Sequence, residues 1–156
     1  MIKINYLVIP AITILIALTG RFFSKKGMKW YHSTLRLPSI TPPDWVFGVV
    51  WPIIFSLTTV VVIWIWNSGV EQSQFLLIMK LFGINALLNL SWSYLFFVKH
   101  LILLSVINSV LLLFVTVLLI FYIWPIWVLM AFLLIPYALW LAFATYLDYC
   151  VWKLNK

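Results

Sequence analysis

Few side chains in this 156-residue chain could do chemistry, and those few are of unusual kinds. Of ten tryptophans, Trp51, Trp92 and Trp140 lie well inside the apolar runs that contain them. An indole in hydrocarbon keeps an N–H donor that wants a partner. Asn85, Asn89, Trp92 and Phe96 follow the spacing i, i+4, i+7, i+11, which puts them on one helical stripe. Ser91 and Ser93 flank it, and Asn108 enters the next run from the same side. Indole faces and amides together suit a pocket for a flat aromatic ligand. A competing reading makes Asn and Ser interhelical contacts, each worth roughly 0.6 kcal/mol. It covers Ser91, Ser93 and Asn108 well, but the deep tryptophans and the stacked asparagines less well.

Conventional catalysis has little to work with. The sequence shows no Ser-His-Asp set, no glycine-rich phosphate loop and no paired carboxylates. His32 and His100 have no second His or Cys at ligand spacing, so no metal site is expected. Cys150 is the single cysteine, which excludes an internal disulfide. Asp148 is the only carboxylate within an apolar run. Such a group is costly and is usually functional or paired; near a helix end it is expected to meet Lys153, Arg36 or water.

The elements that must position these residues are membrane spans. The chain is 66% hydrophobic and 8% charged, where a soluble domain carries about 25% charged residues. Its mean hydropathy is +1.16. The expected fold is all-α, a bundle of five transmembrane helices in a single domain over 1–156, with spans near 4–23, 45–66, 75–98, 101–124 and 126–152. Residues 24–44 are expected to form a long loop that folds over the bundle, and Asp44 to cap the second helix. The first run is read as a retained span, since no small-x-small cleavage site follows it. Pro10, Pro52 and Pro136 fall within spans, where neighbouring helices tolerate them. Trp45, Trp64, Trp66, Trp124, Trp127 and Trp152 fall near span ends and read as interfacial belts.

Charge orients the bundle. Arg21, Lys25, Lys26, Lys29, Arg36, Lys99, Lys153 and Lys156 share one side; only Lys3 and Lys80 belong to the other. By the positive-inside rule the N-terminus is expected outside and the C-terminus in the cytoplasm of a bacterial cell membrane. The net charge of +7 is read as loop sidedness and attraction to anionic lipid, with no nucleic-acid partner.

Three motifs in order resemble the translocator protein family, also called tryptophan-rich sensory proteins or the TspO/MBR family. They are Leu35-x-x-Pro38-Ser39-x-Thr41-Pro42-Pro43 followed by Trp51; Leu88-Asn89-x-x-Trp92 with Phe96-Phe97; and Pro136-Tyr137-x-x-Trp140-x-Ala142-Phe143-Ala144-Thr145-x-Leu147, then Trp152. Ile40 stands where that family usually has tryptophan, and Asp148 where it usually has asparagine. The family's Trp-Tyr pair sits one residue closer to the proline, so either Trp30-Tyr31 carries an insertion or Tyr31-His32 takes those places. The resemblance implies a five-helix bundle, often a homodimer, that binds porphyrin or haem-related ligands and in some members sterols or benzodiazepine-type compounds. It implies a sensory or stress-related role and no required cofactor. Carried over residue by residue, the ligand positions are Trp51, Asn89, Trp92, Trp140, Ala144, Trp30 and Tyr31. For a tetrapyrrole ligand, stacking is expected from Trp51 and Trp140, hydrogen bonds from Asn89, and pairing of the propionates with loop cations near Arg36. Leu147, Tyr149 and Lys153 fit a weak sterol pattern that arises easily at the end of an aromatic span. One alternative is light-dependent porphyrin breakdown, for which Trp51 and Trp140 are the catalytic candidates. A second alternative, transport of porphyrin or lipid, lacks an inverted repeat and a chain of ionisable residues.

Overall fold

The structure, a computed structural model, describes residues 3–156. Its elements are α1 (Asn5–Thr34), α2 (Asp44–Asn67), α3 (Gln72–Phe97), α4 (Ile102–Ile123) and α5 (Val128–Leu154). All five are long and apolar enough to cross a membrane. In hydrocarbon an unpaired backbone group is very costly, so uncharged runs of this length close their hydrogen bonds internally as helices.

Two expectations need correction. Residues 24–34 are helical, because α1 continues to Thr34, and the connection to α2 is confined to residues 35–43. The charges of Arg21, Lys25, Lys26 and Lys29 read as a polar loop, yet all four residues are good helix formers. The short connection is strapped down: Arg36 N–H donates to Asn155 Oδ1 at 2.9 Å and Asn155 Nδ2 donates back to the Arg36 carbonyl at 3.0 Å. Asp44, in turn, is the first residue of α2 and makes no capping bond; its carboxylate meets His32 Nε2 at 2.9 Å.

The helices close a ring in the order α1, α2, α5, α4, α3. The two ends of the ring are built differently. At the end carrying the α2–α3 and α4–α5 connections, Val61, Ile65, Ile78, Leu119, Ile123, Ala131 and Leu134 form a solid apolar core. Lipid is as apolar as these side chains, so their contribution is close packing rather than escape from water.

Toward the other end the contacts become polar. Asn89 Nδ2 donates to Tyr137 Oη at 3.3 Å, and Tyr137 Oη donates to Asn85 Oδ1 at 3.1 Å. Asn85 Nδ2 then donates to Thr116 Oγ1 at 2.9 Å, whose hydroxyl donates to the Leu112 carbonyl at 2.8 Å. This relay joins α3, α5 and α4 at one level. Nearby, Asn108 Nδ2 donates to the Leu88 carbonyl at 2.8 Å, a second α4–α3 tie. Between α1 and α3 the backbones nearly touch, since a Cβ on Gly27 would collide with the carbonyl of Phe97. The turn from α3 to α4 is equally tight: His100 takes φ 56°, and its ring stacks on Trp30 with centroids 3.8 Å apart.

Two outcomes follow for detergent-solubilised protein. Gly27→Ala is expected to lower stability by roughly 1–3 kcal/mol, the cost of overpacking a tight contact, whereas Gly83→Ala, where a Cβ meets nothing, leaves or raises the melting temperature. Tyr137→Phe is expected to cost about 1 kcal/mol, from two interhelical contacts of roughly 0.6 kcal/mol each. Tyr122→Phe at an exposed position is the matched control. Thermal unfolding of the four variants checks both statements.

Candidate functional site

Beyond the polar relay the ring does not close on itself, and a cavity of about 140 Å³ remains, lined by all five helices. Each helix contributes by its own periodicity. From α1, Ser24, Met28 and Tyr31 recur at i, i+4, i+7; from α2, Asp44, Phe47 and Trp51 recur at i, i+3, i+7. From α3 come Asn89, Trp92, Phe96 and Phe97, and from α4 Ser109 and Leu112. From α5 come Trp140, Leu141, Ala144, Leu147, Asp148 and Val151.

The three deep indoles are held in different ways. Trp92 is pinned: its Nε1–H donates to Asp148 Oδ2 at 2.6 Å, and its ring stacks on Phe96 with centroids 5.5 Å apart. Trp51 packs its ring toward Phe55 at 5.6 Å and edgewise to Tyr137 at 6.3 Å. Trp140 lies edgewise to Phe47 at 5.5 Å, and its buried Nε1 has no hydrogen-bond partner among the described residues. On its far side Trp140 also lines a groove of about 660 Å³ between α2 and α5, with Val50, Ile53, Pro136, Leu139 and Phe143. Trp140 is the residue common to the walls of the two spaces.

Asp148 departs from the expected partners. Its carboxylate turns inward, 5% exposed, and Oδ2 accepts from both Trp92 Nε1 and Ser109 Oγ, the latter at 2.7 Å. The helix-end position suggested Lys153, Arg36 or water. The helical phase decides otherwise, because 148 shares the inner face of α5 with 141, 144 and 151. The basic residues stay outside: Arg36 and Lys153 are exposed. Among the described residues the cavity wall contains two carboxylates, Asp44 and Asp148, and no Lys or Arg. The anticipated cations for propionates are therefore absent from the wall.

Of the residues singled out by sequence, Trp51, Asn89, Trp92, Trp140, Ala144 and Tyr31 come together on the cavity. Trp30 does not; it faces His100 and Phe96, one position out of phase with Tyr31. In the sterol pattern, Leu147 lines the cavity while Tyr149 and Lys153 are exposed, so the three share no face. No residue of 35–43 lines the cavity. Ser109 was missed, although its place beside Asn108 on a polar pair was a readable signal. Asp44 was seen only as a cap.

Comparison with known proteins agrees with this architecture. Residues 7–153 match the TspO/MBR family. The chain is 32% identical over 149 residues to the tryptophan-rich protein TspO of Chlorobaculum tepidum, covering 90% of this chain and 89% of that one. It is 35% identical over 127 residues to the protein of the same name from Bacillus cereus, covering 81% and 80%. It is 31% identical over 137 residues to the translocator protein of Homo sapiens, covering 87% and 80%. With five apolar helices and a match over nearly its whole length, the chain is an integral multi-pass membrane protein of the TspO/MBR family.

Proposed function

We propose that the cavity is a receptor site for a flat, largely apolar aromatic ligand of the tetrapyrrole class, and that its occupancy serves a sensory or stress-related role. The observation that carries this reading is the convergence of Trp51, Trp92 and Trp140, one from each of three helices, on one space beside the Asn89 amide. Indole faces give stacking area and the amide gives orientation. At about 140 Å³ the space is below the roughly 300–1,000 Å³ of sites that enclose a drug-sized ligand, so binding requires a wall to move. Trp140 is the wall best suited, since no hydrogen bond holds it and open groove lies behind it. Two indoles against a photoexcited ring also support a second reading, light-dependent breakdown of the bound tetrapyrrole, with Trp51 and Trp140 as the groups in contact.

Titration of the purified protein with protoporphyrin in darkness tests the first reading. Stacking contributes about 0.5–1.5 kcal/mol per contact, so Trp51→Phe and Trp140→Phe are expected to weaken binding roughly threefold to tenfold. Trp64→Phe, exposed and packed on Trp127, leaves it unchanged. Dark affinity and spectrum unaltered in both deep variants would overturn the site. Illumination at matched occupancy tests the second reading: bleaching no faster than in empty micelles removes it and keeps the receptor.

The same side of the ring carries the cavity and eight of the ten basic residues, and we propose that this side is cytoplasmic. In a Cys150→Ser background, a cysteine at Ser39 is expected to be shielded from an impermeant thiol reagent in intact cells, and one at Gln72 to react. Both residues are exposed, and the opposite labelling pattern would invert the topology.

A further inference from the structure

The cavity wall carries a charge whose sign opposes that of the whole protein. The chain has a net charge of +7, and its long-range field favours anions. Inside, the basic groups are absent and Asp148 is 5% exposed. Two donors share one of its oxygens, at 2.6 Å and 2.7 Å, the lengths of charge-assisted bonds. Tryptophan N–H can only donate, so Oδ2 acts as the acceptor toward Trp92. Among the described residues Oδ1 makes no hydrogen bond, no Lys, Arg or His lies within salt-bridge distance of this carboxylate, and the one ion pair is His32–Asp44. A carboxylate this deep in a membrane protein is costly unless something pairs with it.

We propose that Asp148 is the specificity-determining residue of the cavity, selecting ligands that present a cation or an N–H donor at their buried edge and disfavouring a carboxylate there. The inference rests on the cavity being the binding site, and it narrows the ligand class. An N–H or ammonium group would complete Oδ1 without displacing Trp92 or Ser109. A buried carboxylate edge would face Asp148, with no Lys or Arg on the cavity wall among the described residues; Asp44 is more than half exposed and already paired with His32. A tetrapyrrole bearing propionates is thereby directed to bind with those groups outward and its ring nitrogens or a neutral edge inward. Trp92 doubles as a positioning residue, since its indole both lines the wall and holds the carboxylate in place.

The test uses the full-length protein in a neutral detergent at one fixed pH, with two probe sets. The first is a porphyrin dicarboxylic acid, its dimethyl ester and its bis(aminoethyl) amide; the second is pyrenemethylamine and pyrenecarboxylic acid. Wild-type protein is expected to bind the amine of each set roughly tenfold or more tighter than the acid, a differential of at least one tenfold step in affinity. Asp148→Asn, which keeps an acceptor for Trp92, is expected to bring each pair within about threefold by loosening the amine and tightening the acid, on the same tenfold scale. The neutral ester should hold its affinity. Equal binding of amine and acid by the wild-type protein, or an undiminished preference in Asp148→Asn, overturns the proposal. Failure of every porphyrin to bind, with the pyrene preference intact, overturns the tetrapyrrole reading alone. The wild-type ranking needs no variant, so the proposal stays exposed to refutation even if Asp148→Asn does not fold.

Discussion

Lipid offers helices no hydrophobic reason to associate, and everything in this molecule follows from that. What remains is close packing, backbone approach and polar pairs that have nowhere else to go. The protein uses each at a different level. Isoleucine, leucine and valine pack solidly at one end. Gly27 lets α1 lie directly on α3. The relay from Asn89 through Tyr137 and Asn85 to Thr116 ties three helices where the packing gives way to open space. Polar groups that brace a bundle at this depth also fix the floor of the cavity above them, so the bracing and the site share residues. Asn89 belongs to both.

This sharing explains why the two readings of the buried asparagines never separated in the sequence. Asn85 is an interhelical contact and Asn89 lines the cavity, yet they sit one turn apart on the same stripe. The spans themselves were plain, because uncharged runs of this length leave few alternatives to helices. The end of α1 was not. Hydropathy measures where lipid stops, and Lys25, Lys26 and Lys29 mark that level, but a helix has no obligation to stop there. Seen as helix, residues 24–34 put Tyr31 inward and turn Trp30 to His100, a choice of phase that adjacent aromatic residues conceal. Asp148 was misjudged for a related reason. Its distance from the chain end suggested solvent, whereas its rotation about α5 decided its neighbours.

Pinning and freedom are unevenly distributed around the cavity. Trp92 is fixed by a carboxylate and a stacked ring, and that carboxylate is fixed in turn by Ser109. Trp140 has apolar neighbours and an unused donor. The wall movement proposed above falls on the α2–α5 side, which is packed less closely than α4 against its neighbours. A pinned half and a freer half in one small bundle would let the proposed ligand be both recognised and admitted without unfolding the relay below.

Were the proposed site entered past Trp140, the wall shared by the two spaces would change what solution the site samples. A ligand arriving through the groove between α2 and α5 comes from the bilayer, where an apolar ring is far more concentrated than in the surrounding water. Half-saturation is then set by moles of ligand per mole of lipid, and diluting the aqueous phase at constant membrane barely alters it. Under the proposed receptor role, such a site would gauge how heavily its own membrane is loaded, and two cells with identical aqueous ligand but different lipid content would give it different readings.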